Sequence, residues 1–555
     1  MKRISFILIL LTLIVTGSFA QPSKVKNAYK AIFTLNTYNA KNELIGTSHG
    51  VFIKDNGEAI SDLKPFLGAS KATITDSKGK VTEVKRIIGI NEIYDVAHFT
   101  VQAKTPAAQL ASASSKEGSQ IWLVSNENNK LTITSASISR TEKIQDKYSY
   151  YIFNANIPND ANACPFVNAE GEVLGLLQPS ITSSNVHAVD AQFAASLRAS
   201  ALSYNDLAFK QIHLPVALPA NQDQALLFMM MSENSNDSIK RINAINDFIS
   251  SFPTAVDGYS SKAQYLAENN QFDEASSIME TAIKKAANKD EAHFKYSKLI
   301  YWKQIYKKQY DYKPWTLNKA LKEVKSAGNI NSQPAYKFLE GQILFAKGDY
   351  SAAYTLFNSL TTSYSKNGEI YYQMAQCRQM LNASQKEIIA LLDSAISHTD
   401  TLRLQEAAPY FWARANAYNA DGQYRQAVFD FTRYEIVMNH RVGADFYYTR
   451  EQAEKKGKLF QQALADITRA VLLAPQEPAY IAEKANLEIK INMLDNALVT
   501  AQECVKRFPD YSDGILILGL VQIYKGNKTE GLSNMRKAQD MGNEQAKSLV
   551  EKYSK

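Results

Sequence analysis

The chain has 555 residues, 45% hydrophobic and 21% charged, which excludes both a single core and a disordered chain and predicts two or three domains. A net charge of +7 over that length is too small to argue for nucleic acid. The three cysteines, Cys164, Cys377 and Cys504, are far apart and odd in number, which excludes a disulfide-built scaffold; two buried thiols and one loop thiol are expected.

Lys2 and Arg3 precede an apolar run over 4–15, broken only by Ser5 and Thr12, and small residues follow at Ser18 and Ala20. That order is the pattern of a secretory signal cut after Ala20. The run is too short to span a bilayer. No Cys follows it, so no lipoprotein anchor is expected, and no later run is long enough to cross a membrane. The expectation is an exported protein of a bacterial periplasm, with envelope association left open.

From 28 to about 200 the pattern is β. Strand candidates are 31–36, 44–53, 71–75, 81–90, 95–101, 120–125, 131–139, 148–154 and 172–177. They are short and rich in Val, Ile, Thr, Phe and Tyr, and turns such as Asp55-Asn56-Gly57 and Ser77-Lys78-Gly79 separate them. Many short strands with little helix predict a sandwich or a pair of barrels. One stretch, 159–177, combines a polar turn, a small residue, Cys164, Pro165, a short apolar run to Val167, a Glu-Gly turn and a strand.

The order Gly46-Thr-Ser-His-Gly-Val-Phe-Ile53, Asp55-Asn-Gly57 and Glu58-Ala-Ile-Ser-Asp-Leu-Lys-Pro-Phe66, then Asp95-Val-Ala-His-Phe-Thr-Val101, resembles the first barrel of trypsin-like serine peptidases, especially the bacterial periplasmic stress-protease branch. Residues 119–124, 132–140, 159–177 and 186–197 resemble the second barrel and its closing helix. The resemblance implies a double β-barrel and a triad of His base, Asp orienter and Ser nucleophile beside backbone N–H donors. Residue by residue it carries over badly. The His position falls on Lys64, the Asp position is kept as Asp95, and the Ser position falls on Ala163 or Cys164. Ala161 replaces the glycine whose N–H helps form the oxyanion hole. No catalytic residue is therefore expected. The alternative is an endopeptidase with Cys164 as nucleophile and a buried Lys64 as its base.

His49 and His98 lie off the base position and need no catalytic role. The seven His show no His-x-x-x-His spacing and the Cys no Cys-x-x-Cys, so no metal is expected. No phosphate-binding glycine-rich loop is present, so no cofactor is expected.

Residues 201–221, with Pro215 and Pro219, read as a linker. From 222 to 555 repetition dominates. Gly348-Asp-Tyr350-Ser-Ala-Ala353, Gly422-Gln-Tyr424-Arg-Gln-Ala427, Lys458-Leu-Phe460-Gln-Gln-Ala463, Asn492-Met-Leu494-Asp-Asn-Ala497 and Gly526-Asn-Lys528-Thr-Glu-Gly531 share one spacing, and Asn270 to Ala275 is an earlier copy. Ala463, Ala497 and Gly531 recur every 34 residues, and Ala427 precedes Ala463 by 36. Twelve residues ahead of the motif's last residue stands a second small residue, at Ala263, Gly341, Ala415, Ala485 and Gly519; Glu451 is the exception. Small residues at such places let two helices press together. Pro253, Pro475 and Pro509 mark helix ends. These motifs resemble tetratricopeptide repeats (TPR), which implies about eight helix pairs stacked into a superhelix whose groove binds peptides or proteins.

The fold expected is thus multidomain: an all-β trypsin-like double barrel over 28–200, then an all-α superhelix. Arg414, Tyr418, Tyr447 and Arg450, on first helices, are the candidate partner-binding residues. The 295–315 stretch mixes Lys with Tyr and Trp, and its aromatics are expected in the core with its lysines in water. The function expected is a protein-binding scaffold with an inactive peptidase-type domain, with no nucleic-acid partner and no transmembrane segment after signal removal.

Overall fold

The computed structural model describes residues 23–127, 130–155, 157, 161–178, 185–233, 238–362 and 367–554. The expected signal segment and residues 159–160 of the nucleophile-type loop lie outside them. Two compact units divide the chain, Met1–Ala287 and Asn288–Lys555.

The first unit contains two closed six-stranded antiparallel barrels. The first is ordered β1-β2-β3-β6-β5-β4, from β1 (Ile32–Tyr38), β2 (Leu44–Phe52), β3 (Glu58–Ser61), β4 (Lys71–Asp76), β5 (Val81–Asn91) and β6 (Val96–Val101). The second is β10-β11-β12-β9-β8-β7, from β7 (Gln120–Glu127), β8 (Lys130–Ile144), β9 (Tyr148–Asn154), β10 (Pro165–Val167), β11 (Val173–Gln178) and β12 (Asn185–Asp190). This is the double barrel that the sequence predicted. Closure removes the open edges that strands otherwise present.

The barrels are filled from inward-facing positions. In the first, Phe33 packs on Phe52 at 4.7 Å between ring centroids, and Phe66 on Phe99 at 5.2 Å; each buried ring contributes about 2–3 kcal/mol. Bulges at Val84/Arg86 and Ile87/Gly89 bend β5 round the barrel. In the second, Phe153 meets Phe166 at 4.3 Å, beside Leu123, Leu174 and Cys164.

Two segments beside the first barrel's strands are ordered. Residues Ser23–Ala31 form a 3₁₀ helix that buries Val25, Ala28 and Ala31. The expected linker packs on the first barrel. Phe209, Ile212 and Leu214 join its core. The Ile87 N–H donates to the Pro215 carbonyl at 2.8 Å, and the Ala217 N–H to the Ile87 carbonyl at 2.7 Å. Proline lacks an N–H but still accepts, so Pro215 adds to the sheet edge instead of breaking it. Two helix pairs complete this unit, Gln222–Glu233 with Ser238–Ser251 and Val256–Glu268 with Phe272–Lys285. Arg86 on β5 makes two hydrogen bonds to Asp247, both 3.2 Å.

The second unit is helical among its described residues. Seven pairs run from Lys289–Tyr306 with Leu317–Ile330 to Ser512–Tyr524 with Lys528–Asp540, and Glu544–Ser554 closes the array. Each motif's first residue sits in the turn inside a pair and takes a left-handed conformation: φ is +85° at Gly348, +78° at Gly422, +60° at Lys458, +64° at Asn492 and +91° at Gly526. Glycine suits that place because it has no Cβ to strain, and asparagine because its short polar side chain tolerates the left-handed region. The small residues lie where the helices of a pair touch. A Cβ on Gly519 would stand 2.7 Å from the Gly531 carbonyl oxygen, and Ala415, Ala427, Ala463, Ala485 and Ala497 are fully buried. The 295–315 stretch divides as expected at Tyr296 and Trp315, which are buried, and at Lys308 and Lys313, which are exposed; Tyr306 is exposed and Lys303 buried, against that expectation.

Candidate functional site

The residues carried over by the triad resemblance lie on two loops, one from each barrel. In the first, β3 runs through Asp62 and Leu63 into a 3₁₀ turn, Lys64–Phe66, that Pro65 helps to start. Asp95 stands just before β6 at φ +45°. Its Oδ1 accepts from the Lys64 N–H at 2.9 Å and from the Leu63 N–H at 3.2 Å. Its Oδ2 lies 3.3 Å from Lys64 Nζ. The structure therefore brings the expected Lys64 and Asp95 together, and Asp95 serves the backbone of the loop opposite it.

In the second loop, residues 161–164 turn sharply ahead of β10. Ala163 takes φ +58°, and its N–H donates to the Leu177 carbonyl at 3.0 Å. The Asn162 carbonyl faces the first barrel, accepting from the His49 N–H at 3.2 Å and lying 3.3 Å from Ser48 Oγ. Ala161 and Ala163 are buried. Cys164 is fully buried in the apolar core of the second barrel. Cys377 and Cys504 are buried too, so the loop thiol expected among the three is absent.

The alternative nucleophile needs correction on that ground. A thiol at the bottom of a barrel core meets neither substrate nor base. A lysine base needs burial away from charge, and the Lys64 side chain is 65% exposed beside a carboxylate. His98 is also no base. Its ring is fully buried between the Leu197 carbonyl, 3.2 Å from Nδ1, and Glu58, 3.4 Å from Nε2. Burial pushes its pKa down to about 4, so it is neutral at neutral pH.

Sequence reasoning passed over Asp62 and Ser48. Asp62 is almost wholly buried and hydrogen-bonds with Ser48; burial, with the Asp95 charge adding, pushes its pKa up to about 6. An acidic residue between the end of β3 and Lys64, next to the apolar Leu63, was the available signal. Ser48 thus touches both the Asn162 loop and Asp62, and Asp62 feels Asp95. These contacts form a polar seam across the two barrels.

The four candidate partner-binding residues lie in the second unit and are engaged internally. Arg414 grips Asp430 with Nε at 2.7 Å and Nη2 at 2.8 Å, and reaches Asp393 at 2.6 Å. Arg450 repeats the arrangement with Asp466, at 2.6 and 3.0 Å, and with Glu435 at 2.7 Å. Each arginine holds an aspartate sixteen residues on and a carboxylate from the preceding pair. Tyr447 is buried and donates to Glu435 at 2.9 Å. Tyr418 is half-buried under the Arg414 guanidinium. These are clamps between helices, not open ligands for a partner. The recurring Arg-to-Asp spacing was the sequence signal for the clamps. Glu454 is buried near Arg450, at 3.8 Å. Burial and the Asp466 charge push its pKa up to about 8.

Among the described residues no cluster of His, Cys, Asp or Glu is arranged to hold a metal ion. No helix among them is long and apolar enough to cross a membrane. No known family profile matches the chain, and no curated protein does. Among solved structures it is similar to the active form of the Rv3671c protease from M. tuberculosis, at 15% identity over 32% of this chain and 82% of that one, with a TM-score of 0.28.

Proposed function

We propose that this chain is an exported scaffold or adaptor. In this reading its barrels are a peptidase-type domain without peptidase chemistry, and its helix pairs are a TPR array that binds protein or peptide partners. One observation carries the reading. The two positions on which a nucleophile would fall are Ala163, a methyl, and Cys164, a thiol sealed in the core. No register of the loop supplies an accessible nucleophile. The Lys64–Asp95 pair at the base position agrees with this. The repeat reading is supported by left-handed turns and buried small residues that recur every 34 to 36 residues from Gly422 and Ala427 onward. Export is supported by residues 2–20 alone.

The test pairs thiol labelling with proteolysis. The native full chain is treated with iodoacetamide and, separately, with fluorescent casein, beside Cys164→Ala and Lys64→Ala. The reading expects no native labelling at Cys164 and no casein cleavage by any of the three. Cleavage that Cys164→Ala abolishes would establish the endopeptidase instead.

A further inference from the structure

The second helices of two consecutive pairs, Tyr424–Val437 and Phe460–Leu473, present outer faces that the fold itself does not cover. Phe429 is 59% exposed and Ile436, seven residues on, 57%. Seven residues is two turns, so both lie on one side of their helix. At the place equivalent to Ile436 on the next second helix stands Leu472, 73% exposed, beside Leu473 at 55%. Single exposed apolar residues need no explanation, but bulky ones repeated at equivalent places make a patch.

The charges around the patch have one sign. Arg425, Arg433 and Arg469 are exposed, whereas the carboxylates on these two helices, Asp430, Glu435 and Asp466, are all buried. Arg433 and Arg469 occupy equivalent places. The next second helix, Leu494–Arg507, still offers Val499 at 65% exposure, but it exposes Asp495 and Glu503. The cationic apolar face therefore ends with the second of the two helices.

We propose that this face docks an acidic amphipathic helix of a partner protein. Charge complementarity selects an acidic occupant. Apolar side chains two turns apart match the anchors of a helix laid along the face. A protein is favoured over an anionic lipid surface by the choice of cation. Lysines outnumber arginines about three to one in the whole chain, yet these helices carry only arginine. Arginine and phenylalanine are enriched at protein interfaces, and lysine is depleted there. Arg433 also sits over the Phe429 ring, 5.0 Å from its centroid, where it adds to the contact surface. The proposal rests on the scaffold reading only in taking the chain to bind protein, since this face is distinct from the first-helix residues named above.

The test places a photo-crosslinking phenylalanine analogue at Phe429 or Leu472 of the full chain and irradiates it in an extract of the cell envelope. The crosslinked segment is sequenced, synthesised and titrated against wild type and the Phe429→Asp, Leu472→Asp double variant. Both sites are exposed, and thermal melts check that the variant stays folded. The expected result is an acid-rich segment with apolar residues three, four and seven apart, bound about tenfold or more weakly by the double variant. Crosslinks to lipid, to a second copy of this chain, to a basic segment or to nothing overturn the proposal. Partners that bind the double variant as well as wild type also overturn it and leave the scaffold reading standing. A chain that binds no protein in either form brings down both.

Discussion

Asp62 shows how a single buried residue ties the stability of the barrels to pH. An ionised carboxylate buried this deeply is costly, and the folded chain holds its proton more tightly than the unfolded chain does. Asp62 therefore subtracts stability above pH 6, and the cost vanishes as pH falls below about 4. Asp62→Asn is expected to stabilise the barrels by about 2–3 kcal/mol at pH 8 and by almost nothing at pH 4. Calorimetry of the two forms at both pH values checks this; a gain that ignores pH would contradict it. Glu454 follows the same sign at higher pH. Its pKa is raised to about 8, so the second unit is expected to lose stability as pH climbs from 5 to 9, with Glu454→Gln removing part of the loss. Arg450 is the opposite case. Arg450→Ala leaves Asp466, Glu435 and Glu454 buried without their cation and is expected to cost about 3–5 kcal/mol, seen as an early helical transition in circular dichroism melts.

The motif turns set the conformation of each helix pair. Lys458 alone among the motif's first residues cited above is neither Gly nor Asn, yet it takes φ +60°. Lys458→Gly is expected to raise the stability of the second unit by about 0.5–1 kcal/mol, since it relieves left-handed strain of about 1–2 kcal/mol and gives part back as chain entropy. A denaturant midpoint that falls instead would show that the lysine side chain matters more than the backbone. Most of this architecture was legible in the sequence. The turn residues and the 34-residue period follow from sterics that act on single residues, so the sequence displays them directly. The strands were readable from their β-branched and aromatic residues and from the turns between them. β10 was read only as an apolar run, because three residues are too few to show a period. The linker was misread because Pro215 signals a break, whereas here it only accepts a hydrogen bond. The site was legible in residue type and illegible in environment. Lys64 and Asp95 were named together and stand together. Whether Cys164 met solvent depended on which side of a barrel wall it faced, and the sequence carried only its neighbours. Arg414 and Arg450 were named as partner-binding candidates, and their internal carboxylate partners were hidden because these lie one helix away.

At the scale of the molecule, the two barrels share cross-barrel contacts, which the proposed scaffold reading takes as a framework without peptidase chemistry. The Asn162 carbonyl still ties the second barrel to β2, and Asp95 still orders the Lys64 loop. In the proposed reading these contacts serve a binding surface and not turnover. The native reactivity of Cys164 tests this most directly. The full chain is treated with excess iodoacetamide under native conditions and again in denaturant, and modification is located by mass spectrometry while casein cleavage is followed in parallel. The account predicts that Cys164 is modified only after denaturation and that casein stays intact. Stoichiometric native modification of Cys164, with cleavage that Cys164→Ala abolishes, would contradict it.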